Sequence, residues 1–203
     1  MKYTKPQIIK YNKLKCQNSK NPEIIITFTC CKRLGLFKQT INSIINTWLD
    51  IKKIDYWFCV DDNSSENDRK EMKTIYPWIE YYMKSEEEKG HRQSMNIIWN
   101  KLNELKPKYW IHMEDDFLFF DKTNYISKAL DGIRLLNKFN VKQILFNRGY
   151  GETISDYRIK SFEKISKDFC IHVFDINKKV PFINCYYWPH YSFRPSLIEV
   201  ETI

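Results

Sequence analysis

Three short apolar runs constrain this chain most. They are Glu23–Thr29 (EIIITFT), Ile54–Val60 (IDYWFCV) and Tyr109–Met113 (YWIHM). None alternates apolar with polar residues, so none suits a strand with one wet face. A continuous run of four to eight apolar residues marks a strand covered on both faces. Between the runs lie segments with helical spacing. Leu36, Phe37, Ile41, Ile44, Ile45 and Trp48 make one stripe, and Met95, Ile98, Trp99 and Leu102 make another. Strands that alternate with helices, each strand buried twice, imply a mostly parallel sheet between helical layers.

The pattern predicts strands at Glu23–Thr29, Ile54–Val60, Ile79–Met83 and Tyr109–Met113, with helices over Leu34–Trp48, Asp68–Tyr76 and Arg92–Leu105. A helix over Asn124–Asn137 and a strand over Val141–Phe146 follow. Beyond Gly149 the alternation breaks, and only Phe169–Phe174 and Phe182–Trp188 read as strands. The 203 residues suit one domain. We divide it into a polar N-terminal arm (1–22), a first half (23–120) and a second half (121–203), with no linker between independent units. A chain of this size buries roughly 70% of its unfolded surface and needs no disulfide staples.

The six cysteines include no C-x-x-C pair, and Cys30 and Cys31 are adjacent, which is poor disulfide geometry. No Cys/His grouping has zinc-ligand spacing. Together with an N-terminus that lacks an apolar run before a cleavage site, this leads us to expect a reducing, cytoplasmic setting. No stretch approaches the ~18 apolar residues of a membrane span. The balance of 33 basic to 25 acidic residues, +8, flags a polyanion partner. Much of that excess is scattered lysine and the Lys2–Lys20 arm, in a sequence rich in Lys, Ile, Asn and Tyr. No RNA-binding signature accompanies it, and no nucleic-acid partner is expected.

In open α/β sheets ligands bind beyond the carboxyl ends of the strands. Cys30-Cys31-Lys32-Arg33 follows the first run, Asp61-Asp62-Asn63-Ser64 the second, and Glu114-Asp115-Asp116 the run at Tyr109. Gly90-His91-Arg92 opens a helix, where backbone N–H groups favour anions. The acidic triplet sits between apolar segments. Adjacent buried carboxylates resist ionisation unless a cation compensates them, and a hard divalent ion suits oxygen ligands. The same residues could instead cap backbone amides. Asp61-Asp62 could hold a ligand or simply form a turn before the next helix. Arg33 could be a surface charge or a base or phosphate contact.

These residues together resemble the GT-A-fold nucleotide-sugar glycosyltransferases, particularly the large family 2 type. The resemblance covers residues 23 to 120: strand Ile24–Thr29, then Arg33 and a helix; Asp61-Asp62-Asn63-Ser64 for the D-D-x-S motif; Gly90, Arg92 and Asn96 at the third helix; and Glu114-Asp115-Asp116 for the DxD motif, with Glu in its first position. It implies an α/β fold, a three-layer α/β/α sandwich with a mostly parallel central sheet. It implies transfer of a sugar from a nucleoside-diphosphate sugar, UDP-linked by preference, to a glycan, protein or lipid-linked hydroxyl. Mn²⁺ or Mg²⁺ would assist. Thr29, Arg33, Asp61, Asp62, Arg92, Asp115 and Arg194 would line the donor, with Asp61 on uracil or ribose; Asp116, Glu114 and His190 would hold the metal. The segment Tyr187–Leu197 resembles the end segment that folds back near the diphosphate in some of these transferases, though His190 could equally be a packed histidine. Composition and size also resemble transferases of large DNA viruses.

No E-D pair marks a catalytic base after residue 120. Asp156, Glu163 and Asp168, with Glu152 and Asp175, are the candidates, and nothing in the sequence ranks them, so inverting and retaining chemistry both stay open. Tyr150, Tyr186 and Trp188 would shape the acceptor side. The rival enzyme class is a nucleotidyltransferase, but its phosphate-cradling Gly-rich segment is missing: Thr29 to Gly35 holds one glycine. P-loop and G-x-G-x-x-G patterns are absent. A basic nucleic-acid-binding module and an inactive transferase-like scaffold complete the alternatives.

Overall fold

The computed structural model describes residues 18–146, 159–174 and 194–202. Strand β1 (Ile24–Cys30) lies inside a six-stranded sheet with β2 (Tyr56–Asp61), β3 (Glu80–Met83), β4 (Tyr109–Glu114), β5 (Gln143–Leu145) and β8 (Ser196–Glu199), in the order β3-β2-β1-β4-β8-β5. Strands β1 to β4 run parallel, and β8 lies antiparallel between β4 and β5. A separate antiparallel pair joins β6 (Ile159–Lys164) to β7 (Cys170–Phe174).

Both faces of β1 are covered, as its unbroken apolar run requires. Ile24, Ile26, Phe28 and Cys30 face one layer, with α1 (Leu34–Thr47), α2 (Glu66–Ile75) and α4 (Tyr125–Leu135). Ile25 faces the other, with α3 (His91–Leu105). The result is the expected α/β/α sandwich. On the first face Phe28 stacks on Trp57 at 5.9 Å and meets the edge of Phe37 at 6.0 Å. Phe37, Ile41 and Ile44 project at helical spacing from α1 into this layer. On the second face Trp110 Nε1 donates to Thr27 Oγ1 at 2.8 Å, and that hydroxyl lies 2.9 Å from His112 Nδ1. Burial drives the His112 pKa down to about 3, so this polar link is neutral.

Chain order makes a switch point. From β1 the chain winds outward through β2 and β3, then returns to place β4 on the other side of β1. Loops therefore diverge at the carboxyl ends of β1 and β4, where α/β sheets leave a crevice. The register levels these ends, with Cys30 opposite Asp61 and Thr29 opposite Glu114.

Some expectations need correction. Helix α2 starts at Glu66, two residues early, because Ser65 caps it by accepting from Asp68 N–H at 3.1 Å. The Ser196–Leu197 end of the segment expected near the diphosphate is β8, buried in the sheet against β4. β6 was not anticipated, since IKSFEK has neither alternation nor an apolar run. Phe182–Trp188, Tyr150 and Tyr186 lie outside the described residues.

The turn between β6 and β7 docks on α4. A Cβ at Gly132 would lie 2.7 Å from Phe169 Cε1 and 3.1 Å from Ile144 Cδ1, so only glycine admits that ring. Gly132→Ala should destabilise the protein by about 1–3 kcal/mol in urea unfolding. Phe169→Ala in the same background should recover part of the loss; a purely additive double variant would show that this contact is not the cause.

Candidate functional site at the sheet switch point

Arg33, immediately before α1, is the centre of the crevice. Its guanidinium forms a close ion pair with Asp115, with Nε 3.2 Å from the second carboxylate oxygen, and reaches Asp116 at 3.4 Å. Asp115 also accepts the Cys31 N–H at 3.3 Å and is fully buried, whereas the Arg33 side chain is 47% exposed. Burial opposes charge on Arg33, but Asp115, Asp116 and Glu114 outweigh it and raise its pKa. Burial raises the Asp115 pKa too, against the pull of Arg33 and the Cys31 amide. Thr40 Oγ1 holds the following turn from α1, 2.9 Å from the Asp115 carbonyl and 2.8 Å from that of Phe117. A cation with one side to water and the other bound by carboxylates can receive an anion.

The buried member of the triplet, Asp115, has Arg33 as its partner. Glu114 and Asp116 remain about two-fifths exposed, at 38% and 41%. His91, in the first turn of α3, approaches Glu114 at 3.8 Å. Among the described residues no three metal-ligating side chains converge. Their oxygen chemistry suits Mg²⁺ or Mn²⁺, which commonly takes one or two carboxylates and completes its shell with phosphate and water.

The two aspartates ending β2 serve different ends. Asp61 is fully buried, contrary to the expected contact with base or ribose. Its Oδ2 accepts from Arg69 Nε at 2.7 Å and Ser64 N–H at 3.2 Å, while the Cys30 thiol lies 3.4 Å from Oδ1. Arg69 also donates to the Lys84 carbonyl at 2.7 Å, tying α2 to the end of β3. Asp62 stands at the rim, 15% exposed. It accepts from Gly90 N–H at 2.9 Å and from Lys84 Nζ at 3.1 Å. Lys84 is fully buried and also donates to the Gly90 carbonyl at 2.9 Å and Ser94 Oγ at 3.0 Å. Gly90 has φ +109°, a value that side-chain-bearing residues avoid. The pair thus fixes the start of α3 against β2. Burial pushes the Asp62 carboxyl up, but the Gly90 amide, Asn63 and Lys84 outweigh it and hold its pKa below the usual 3.8.

Of the other expected donor residues, Thr29 is half-buried opposite Glu114, Arg92 is exposed in the first turn of α3, and Arg194 is half-buried just before β8. Glu163 lies within β6, and Asp168 meets Lys128 of α4 at 3.8 Å rather than the crevice. Asp156 and His190 lie outside the described residues, as do Glu152 and Asp175. Sequence reasoning missed Arg69, Lys84 and Thr40. The Ser65 cap could have placed Arg69 one turn into a helix beside the β2 end; nothing local marks Lys84 as buried.

No protein-family model matches the sequence, and no curated protein matches it. Among solved structures, the chain is similar to "4-diphosphocytidyl-2C-methyl-D-erythritolsynthase" from Anaerococcus prevotii DSM 20548, with a TM-score of 0.46 and 14% identity over 89% of this chain and 71% of that one. Similarity at this level assigns neither activity nor ligand. Among the described residues no helix is long and apolar enough to cross a membrane.

Two outcomes follow from the buried pairs. Arg69→Ala strands the Asp61 carboxylate and should cost about 3–5 kcal/mol in chemical unfolding; a loss under about 1 kcal/mol would show that the pair holds nothing. Because Asp62 has a depressed pKa when folded, its stabilisation is present above the unfolded value near 3.8 and lost as pH falls through the folded value. Asp62→Asn should therefore flatten the acid limb of a stability–pH curve below about pH 4; an unchanged slope there would refute the assignment.

Proposed function

We propose that the protein is a glycosyltransferase that moves a sugar from a nucleoside-diphosphate sugar, with UDP as the carrier that the motif resemblance implies, to a hydroxyl acceptor on a glycan, protein or lipid-linked substrate. The observation that carries this reading is the grouping at the switch point. Arg33, held by Asp115 and Asp116, lies level with exposed Glu114, rim Asp62 and the start of α3. It is a cation beside carboxylates at the crevice where α/β sheets bind ligands.

In this reading the acceptor oxygen attacks the anomeric carbon. The bond from that carbon to the phosphate oxygen breaks, its electron pair leaves with the diphosphate, and the hydroxyl proton passes to a base or to water. Arg33 offers its exposed face to the diphosphate, while Asp115 keeps the guanidinium oriented. The start of α3 is pinned by Asp62 and Lys84, and Arg92, exposed in its first turn, would contribute a second cation for the same anion. Asp116 and Glu114 would hold Mg²⁺ or Mn²⁺, which when bound offsets charge on the leaving group.

The decisive measurement is a thermal-shift panel of UDP-, GDP- and CMP-sugars with Mn²⁺ or with chelator, followed by assay of the nucleotide released. We expect one donor class to raise Tm, and Arg33→Ala to weaken its binding by about tenfold or more. Release of a nucleoside diphosphate supports sugar transfer. Pyrophosphate release from a nucleoside triphosphate would instead assign nucleotidyl transfer, and no binding by any donor would reject the reading.

A further inference from the structure

Between α2 and the end of β3, a groove of about 550 Å³ is lined by Glu66, Arg69, Lys70, Lys73 and Thr74 of α2 and by Met83 of β3. The α2 residues recur at helical spacing, so they form one stripe along the helix. Arg69 is engaged with Asp61, and Glu66 pairs with Arg69 at 3.3 Å. Lys70 and Lys73 are exposed, and no ion pair joins them to another described residue.

The groove borders an open sheet edge. β3 is the outermost strand of its sheet and pairs on one side with β2. In a parallel ladder every second residue turns its N–H and C=O away from its partner. Lys84 N–H donates to the Asp61 carbonyl at 3.1 Å, and Val60 is level with Tyr82, so Tyr82 and Lys84 face β2. The backbone groups of Tyr81 and Met83 therefore point outward, and no described residue outside the sheet bonds them. Such an edge is a template for another strand.

The two faces of β3 differ in charge. The α2 side carries Met83 and the lysine stripe. The other carries Glu80, engaged with Lys101 at 3.1 Å, and Tyr82, 38% exposed, whose hydroxyl donates to Glu88 at 2.6 Å. An added strand would place alternate side chains on these two faces. Acidic residues opposite Tyr81 and Met83 would meet Lys70 and Lys73. The residue between them would lie over Tyr82 beside carboxylates and should be apolar.

We propose that the α2–β3 groove binds an extended acidic peptide segment of a partner protein, which adds as a strand to β3 with acidic and apolar residues alternating. Backbone bonds to Tyr81 and Met83 supply the docking, and Lys70 and Lys73 supply the preference for acid. The inference does not depend on the identity of the sugar donor.

The test is fluorescence anisotropy on the full chain with a fluorescein-labelled Glu-Val-Glu-Val-Glu peptide at low salt. We expect binding that weakens by about tenfold in the K70E/K73E variant, with far-UV circular dichroism unchanged because both lysines are exposed. The same peptide N-methylated at every backbone amide has the same charge but no N–H to give the edge, and should bind at least about tenfold more weakly. Equal binding of the two peptides would overturn strand addition in favour of charge alone. Binding by oligothymidylate but not by the peptide would overturn it in favour of a nucleic-acid groove. Failure of the unmethylated peptide to bind would also overturn it.

Discussion

Burial of β1 on both faces is the constraint on which the rest depends. Ile25, Ile26 and Phe28 are wholly inaccessible, and covering them takes helices on two sides. Parallel neighbours separated by helical crossovers supply those helices, since a parallel pair cannot be joined by a tight turn. Once β1 is central, its flanking strands β2 and β4 must come from different stretches of chain. The crevice between the diverging loops is a consequence of that order, not a separate feature.

Charge within the crevice follows from the same burial. The ends of β1, β2 and β4 are level, so carboxylates that leave the strands begin inside the low-dielectric layer. Among the described residues each wholly buried carboxylate has a guanidinium: Arg69 for Asp61 and Arg33 for Asp115. The two arrangements differ in what they leave open. Arg69, 15% exposed, is consumed in joining α2 to the ends of β2 and β3. Arg33 is half exposed and retains a face to solvent. Only the second can greet a ligand, which is why the functional reading centres on it and not on the aspartate pair at Asp61.

The fold was largely legible from residues 23 to 120. Runs buried on both faces and helical stripes are local signals, and they placed β1, β2, β4, α1 and α3 within a residue or two of their observed limits. Legibility fell where pairing is non-local. β8 is short, and its place between β4 and β5 depends on partners about 50 to 90 positions away, such as Leu145 opposite Ser196 and Trp110 opposite Ile198. β6 lacks any local pattern at all. For the site, the clusters and their common edge were readable, because strand ends in a parallel sheet share one side. Which carboxylate faced inward was not.

The sequence alone determined that a parallel sheet would carry Arg33, Asp61-Asp62 and Glu114–Asp116 at one edge, since apolar runs set the strand limits and the helices between them make neighbouring strands parallel. Only tertiary structure decided their roles. Side chains alternate across a strand, so a single residue of register separates the sealed carboxylate of Asp61 from the rim carboxylate of Asp62. Likewise, the pairing of Arg33 with Asp115 spans 82 positions and arises only when β1 and β4 lie side by side. Composition records the charges; their partners depend on distances that exist only in the folded chain.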